Sequence, residues 1–290
     1  MTPAPGPVTP GVLIPGVFLI NAALTGMVPT RADSPFVPLT VPEIIADAVA
    51  CVDAGASILH VHARDAEGRP THAPEVYAPI VAGIRAQRPE VVICVSTSGR
   101  TGAGLAERAA VLDLDGAARP DMASLTLGSF NFRREANIND PVTILALARR
   151  MRERGVKPEL EIFDTGMAAT LGHLLRTGEL AGRPYANLIL GGVNTAQASL
   201  PELCHLVALL PPGVVWAAGG VGRGQLPMNL AALLMGGQVR LGVEDAIWFD
   251  QGRSVPARNV DLVLRVREMA ARLERTPATC AEARSLLGLT

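Results

Sequence analysis

The run "SILHVH" (57–62) is six residues long, apolar except for Ser57 and two histidines, and it breaks at once into Arg64-Asp65 and the turn residues "AEGRP" (66–70). A short apolar run bounded by turn residues reads as a strand buried on both faces, because it is too short for a helix and lacks strict alternation. His60 and His62 are i and i+2, so both imidazoles lie on one side of that strand. Polar residues gathered where a buried strand ends are what an α/β fold with its site at the carboxyl ends of its strands would show.

Seven more such runs follow the same plan: "VFLINAAL" (17–24), "VVICVS" (91–96), "DMASLTL" (121–127), "ELEIFD" (159–164), "NLILGG" (187–192), "VVWAAGG" (214–220) and "QVRLGVED" (238–245). Helical patterns alternate with them, clearest at 41–56, 141–155, 200–210 and 255–275, with Thr40, Asp140 and Ser199 placed as N-caps of the first three. Eight strands each followed by a helix predict an α/β protein with a single (β/α)8 TIM barrel, and 290 residues suit one barrel of about 250. An open doubly wound sheet is the competing fold. "GGVGRG" (219–224) invites a dinucleotide reading, but no acidic residue stands on a following strand at the expected distance. Residues 1–16 read as a Pro-rich arm, loose or packed on a neighbouring subunit, and 17–290 as the catalytic barrel with its C-terminal helices.

Composition narrows the function. With 26 basic against 27 acidic residues and no long run of either, the chain offers no nucleic-acid surface. Lys157 is its one lysine. Cys51, Cys94, Cys204 and Cys280 are far apart and form no C-x-x-C pair, which suits a reducing compartment. The N-terminal residues have no basic segment and their apolar part is broken by prolines, and no run approaches about 18 apolar residues, so a cytoplasmic protein is expected.

Two imidazoles at strand spacing on a catalytic rim suggest metal ligands, against the alternative of ordinary core histidines. His72, His173 and His205 fall in loops or helices, so the third ligand is sought elsewhere. Glu244 fits: Arg240, Gly242 and Glu244 share one face of the eighth run, and strands two and eight flank strand one. The arginine inside that apolar run also needs a partner, since an unpaired buried charge is costly. Two imidazoles and a carboxylate leave open positions on a divalent ion, with Zn²⁺ the default. Such a centre suits a ligand offering two oxygens and a negative charge, such as a β-keto acid chelating through its keto and carboxylate oxygens, and chelation would stabilise an enolate. "VSTSGRTG" (95–102) places Ser96, Thr97, Ser98 and Gly99 as a small anion nest, although an ordinary Ser/Gly turn accounts for the same residues equally well. Ser124 and Thr126 share a face of strand four. Glu161 sits in an apolar run, either paired or functional, with a raised pKa if unpaired.

Taken together, "LHVHARD", "STSG", "ASLTLGSFNF", "ELEIFDTGM" and "GGQVRLGVED" resemble the β-keto acid cleavage enzymes, in order over nearly the whole chain. The resemblance implies a zinc-dependent TIM barrel, usually a homotetramer, in which a β-keto acid and acetyl-CoA give an acyl-CoA and acetoacetate. It implies that His60, His62 and Glu244 hold the metal and that Ser96 and Ser124 orient the keto acid. Arg240 and Asp245 would form the activating pair, and Glu161 would support catalysis. Arginine is an awkward base with a pKa above about 12, so an electrostatic role for Arg240, with Asp245 or a water taking the proton, stands beside the role of base. Family members acting on amino-bearing keto acids carry a Glu shortly after the T-G of strand one. Here "LTGMV" (24–28) has Met27 and Val28, which predicts a neutral substrate tail. Thr126 replaces a common Asn. Rival readings are an amidohydrolase, which lacks its further histidines here, a Schiff-base aldolase, disfavoured because Lys157 precedes strand five, and a non-catalytic metal- or ligand-binding barrel.

Overall fold

A computed structural model describes residues 16–289. Eight parallel strands close into a barrel: β1 (Ile20–Ala23), β2 (Ile58–Val61), β3 (Val92–Val95), β4 (Met122–Thr126), β5 (Lys157–Ile162), β6 (Tyr185–Leu190), β7 (Val215–Gly220) and β8 (Gln238–Leu241). Each is followed by a helix: α1 (Val41–Ala54), α2 (Pro74–Gln87), α3 (Leu105–Ala109), α4 (Pro141–Arg154), α5 (Thr165–Arg176), α6 (Leu200–Leu209), α7 (Gln225–Leu234) and α8 (Asn259–Ala271). The open-sheet alternative is excluded by closure, since β8 pairs with β1 through Val239–Leu241 beside Ile20–Ala22. Burial on both faces explains why these strands read as continuous apolar runs.

Local sequence sets the helix starts as expected. Thr40 and Glu43 form a capping box at α1, Asp140 accepts from the N–H groups of Val142 and Thr143 at α4, and Ser199 accepts from Glu202 N–H at α6. An additional helix, α9 (Cys280–Leu287), caps the amino-terminal mouth of the barrel. Its Ala283 and Leu287 pack on Leu19, Ile58, Val92 and Met122 from the strand beginnings. That leaves the carboxyl-terminal mouth for polar side chains.

Three expectations need adjusting. The predicted first run, 17–24, divides: Gly16–Phe18 leaves the barrel to pair with Arg275–Pro277, and only Ile20–Ala23 enters it. The C-terminal helix spans 259–271, shorter than 255–275, because Trp248 and Pro256 bridge a loop before it. The eighth strand stops at Leu241, so Glu244 and Asp245 stand on a turn beyond it and not on the strand face with Arg240. The Pro-rich arm, apart from Gly16, lies outside the described residues.

Gly242 makes that turn. Its φ is +144°, and a Cβ there would lie 2.0 Å from the Ala23 carbonyl oxygen of the neighbouring strand. Both backbone conformation and contact exclude a side chain. Gly242→Ala is expected to lower unfolding free energy by about 2–4 kcal/mol. Gly104→Ala, at the N-cap of α3 where a Cβ meets nothing within 4 Å, is expected to change it by no more than about 1 kcal/mol. Urea denaturation of the two variants checks the contrast.

Candidate metal centre

β2 carries His60 and, just past its end, His62, while the turn after β8 brings Glu244 across β1 to meet them. The His60 Nε2 and His62 Nε2 atoms are 3.2 Å apart. Glu244 Oε1 lies 3.9 Å from His60 Nε2, and Glu244 Oε2 lies 3.5 Å from His62 Nε2. A tetrahedral ion with bonds of about 2.0–2.1 Å spaces its ligand atoms about 3.3 Å apart, close to the His60–His62 and His62–Glu244 separations. Gly26 permits the approach, because a Cβ on it would sit 2.6 Å from Glu244 Cγ. Glu244 Oε2 is buried without a hydrogen-bond partner among the described residues. An orphaned buried carboxylate oxygen facing two imidazole nitrogens fits a cation.

Charge balance points the same way. Arg240, 1% exposed, donates from Nε to Asp245 Oδ2 (3.0 Å) and from Nη2 to Glu244 Oε1 (2.7 Å). Its Nη1 stands 3.9 Å from both Glu159 Oε2 and Glu161 Oε1. Four carboxylates therefore surround one guanidinium, and a divalent ion would offset much of the excess negative charge. Burial disfavours a charged His60, yet Glu159 and Glu244 outweigh it and push its pKa up to about 9. Burial moves His62 the other way, below its ordinary range.

Glu159 is the residue that the sequence reading missed. It is fully buried at the β5 position beside Ser124, and His60 Nδ1 bonds its Oε2 at 2.6 Å. Burial alone would raise the Glu159 carboxyl, but the charge and hydrogen bond of His60 hold it down at about 2. Its other oxygen accepts from Asn21 Nδ2 (2.5 Å). A carboxylate on Nδ1 fixes the ring and turns Nε2 toward the metal position. His60, Cys94 and Glu159 also cluster, but 2.6 Å is a hydrogen bond and too short an edge for two ligands of one ion. The signal was present: Glu159 precedes Glu161 by two residues, so both carboxylates share one strand face.

The other expected residues are also at this mouth. Thr126 Oγ1 donates to Glu161 Oε2 at 2.6 Å, and burial raises the Glu161 carboxyl. Burial and the neighbouring Glu244 charge oppose the Arg240 charge and leave Asp245 raised as well, whereas the four surrounding carboxylates outweigh burial and hold Arg240 well above the ordinary guanidinium range. The anion nest takes a different form. Thr97 N–H donates to Ser124 Oγ and Ser98 N–H to Ser96 Oγ, so two of its N–H groups are engaged within the loops. Gly99 serves close packing, since a Cβ would meet the Ile138 carbonyl oxygen at 2.2 Å. Buried Arg108 ties these loops together through the Thr97 and Ile138 carbonyls and Asn139. Arg64 of the "HARD" segment holds the Gly26, Pro29 and Gly68 carbonyls, and Asp65 closes the hairpin with Arg69. His72 is buried nearby, its pKa lowered to about 4 mainly by burial, while His173 and His205 lie on α5 and α6.

Residues 18–289 match the model of a family described as beta-keto acid cleavage enzyme. The chain is 36% identical to the 3-oxoadipate:acetyl-CoA acetyltransferase of Cupriavidus necator over 93% of this chain and 94% of that one. It is 37% identical to the 3-keto-5-aminohexanoate cleavage enzyme of Fusobacterium nucleatum, over 94% and 98%. Among solved structures, the binary complex of ObcA with oxaloacetate superposes with a TM-score of 0.80 at 21% identity, covering 88% of this chain and 68% of that one, a likeness of fold.

Despite burial, Glu159 and Glu244 push the pKa of His60 up to about 9, so binding of Zn²⁺ at pH 7 is expected to release about one proton. Its affinity should then rise about tenfold per pH unit between 6 and 8. Calorimetry in buffers of different ionisation enthalpy measures this. Glu159→Gln is expected to weaken Zn²⁺ binding about 10–100-fold in a chelator competition.

Proposed function

We propose that this chain, which belongs to the β-keto acid cleavage enzyme family, converts a β-keto acid and acetyl-CoA into an acyl-CoA and acetoacetate. The observation that carries the proposal is the meeting, at one mouth of the barrel, of the His60–His62–Glu244 triangle with a buried Arg240 ringed by carboxylates. A divalent ion held by those three residues, zinc in this proposal, would supply Lewis-acid polarisation of the keto and carboxylate oxygens.

The chain's own groups divide the remaining work. Ser96 Oγ and Ser124 Oγ each accept one backbone N–H, which leaves their hydroxyl protons to donate to the substrate carboxylate. Thr97, Ser98 and Gly99 carry Ser96 on a loop pinned by Arg108. Arg240 is not the base, since its carboxylate neighbours keep it charged. It provides a fixed positive charge, and Nη1, which has no hydrogen-bond partner among the described residues, is its open donor. Asp245, as a carboxylate made more basic by burial and the Glu244 charge, takes the α-proton. The carbon so exposed attacks the acetyl carbonyl and expels CoA thiolate. That thiolate adds to the substrate's own acyl carbon, the bond from this carbon to the former α-carbon breaks, and the acetoacetate carbanion released takes back the proton from Asp245. Glu161, held by Thr126, supports these proton movements.

Met27 and Val28 after the Thr25-Gly26 turn give a cationic tail no carboxylate, which supports a neutral substrate tail. The proposal also includes a homotetramer acting in the cytoplasm, with residues 17–290 as the catalytic barrel domain.

Acetoacetate formation from acetyl-CoA and a panel of β-keto acids with neutral, anionic and cationic tails tests the reading. A neutral acid is expected to lead by at least about tenfold in kcat/KM. Met27→Glu is expected to move preference toward the cationic acid. His62→Ala is expected to reduce kcat on the order of a thousandfold with the fold retained. Absence of turnover with every acid in the metal-loaded protein would instead identify a binding barrel.

A further inference from the structure

At the opposite end of the barrel lies a cavity of about 590 Å³. It is formed where β4, β5 and β6 begin and where the last turn of α9 comes past them. Six cationic side chains line it against two carboxylates, Asp121 and Glu179. The carboxylates are already engaged. Asp121 accepts from Arg85 (2.7 Å) and Arg284 (2.6 Å), and Glu179 accepts from Arg149 (2.6 Å) with Arg152 at 3.8 Å. Arg119, Lys157 and Arg183 have no ion pair among the described residues. Arg119 reaches only the Arg154 and Gly155 carbonyls, and Lys157 Nζ donates to the Arg183 carbonyl.

We propose that this cavity is a binding site for a phosphate-bearing anion of nucleotide size, with Lys157, Arg183 and Arg119 as its recognition groups. Uncompensated like charges lining one cavity repel one another and concentrate anions. A phosphate group between them would accept several charge-assisted hydrogen bonds at once and remove the repulsion. Independent support comes from Lys157, half-buried at the first position of β5. Burial, with the Arg183 charge adding to it, pulls its ammonium down to about 8. The cavity volume exceeds what inorganic phosphate needs and falls within the range of small-molecule pockets of about 300–1,000 Å³. The site is at the far end of β5 from Glu161, so it is separate from the proposed chemistry.

Because Lys157 is the chain's one lysine, reductive methylation with ¹³C-formaldehyde places a single side-chain reporter in the cavity and keeps its charge. Lys157→Arg separates its NMR signal from that of the N-terminal amine. With ADP, and more weakly with inorganic phosphate, the titration midpoint of dimethylated Lys157 is expected to rise saturably by about half a pH unit or more. Chloride at equal ionic strength should not move it, and Arg183→Ala should weaken ADP binding about tenfold or more. In the unmodified protein, ADP is expected to raise the thermal midpoint, and Lys157→Met to remove that rise. A reporter that does not move with either phosphate compound overturns the proposal. So does a reporter that moves equally with chloride, or ADP stabilisation that survives both substitutions.

Discussion

The carboxyl-terminal mouth is organised by one buried charge. Arg240 projects from the last barrel strand into a space almost closed to water, where a guanidinium must be met by carboxylates or cost several kcal/mol. Asp245 and Glu244 meet it from the turn that follows, and Glu159 and Glu161 stand near it from β5 across the barrel. Four acids outnumber the two bases, Arg240 and His60, at this mouth. That excess is what makes the neighbouring imidazoles a place for a cation, and, against burial, Glu159 and Glu244 raise His60 while the His60 and Arg240 charges hold Glu159 down.

The backbone has to be unusual for this to happen. β8 ends three residues before Glu244, and the chain turns through Gly242 at a φ that a side chain would resist. Asn259 at the start of α8 then receives the Val243 N–H and donates to the Leu24 carbonyl, which ties the turn to the end of β1. Gly26 lets the Glu244 side chain lie against the β1 loop, and Arg64 holds the same loop by its carbonyls. Residues that touch no substrate thus set the position of the one carboxylate that completes the ligand triangle.

The two mouths carry opposite charge. Acids predominate where β2, β5 and β8 end, and arginines with the lone lysine predominate where β4, β5 and β6 begin. β5 spans both, with Lys157 at its first position and Glu159 and Glu161 further along. Parallel strands make this separation possible, because every strand presents its amino end to one side and its carboxyl end to the other.

The sequence by itself determined the barrel, since eight short apolar runs alternating with capped helical patterns report burial on both faces of a parallel sheet. It also placed His60 and His62 together, because strand periodicity alone puts i and i+2 side by side. Arg240 was legible as a charge in an apolar run that needed a partner. Tertiary structure alone decided who the partners were. Glu159 lies 99 residues from His60 in sequence, and no local pattern encodes a contact made across a closed cylinder. The engaged N–H groups of the 96–99 loop and the early end of β8 were hidden for the same reason. Hydrogen-bond satisfaction and backbone turns beyond a strand depend on what the neighbouring strands supply, which periodicity does not report.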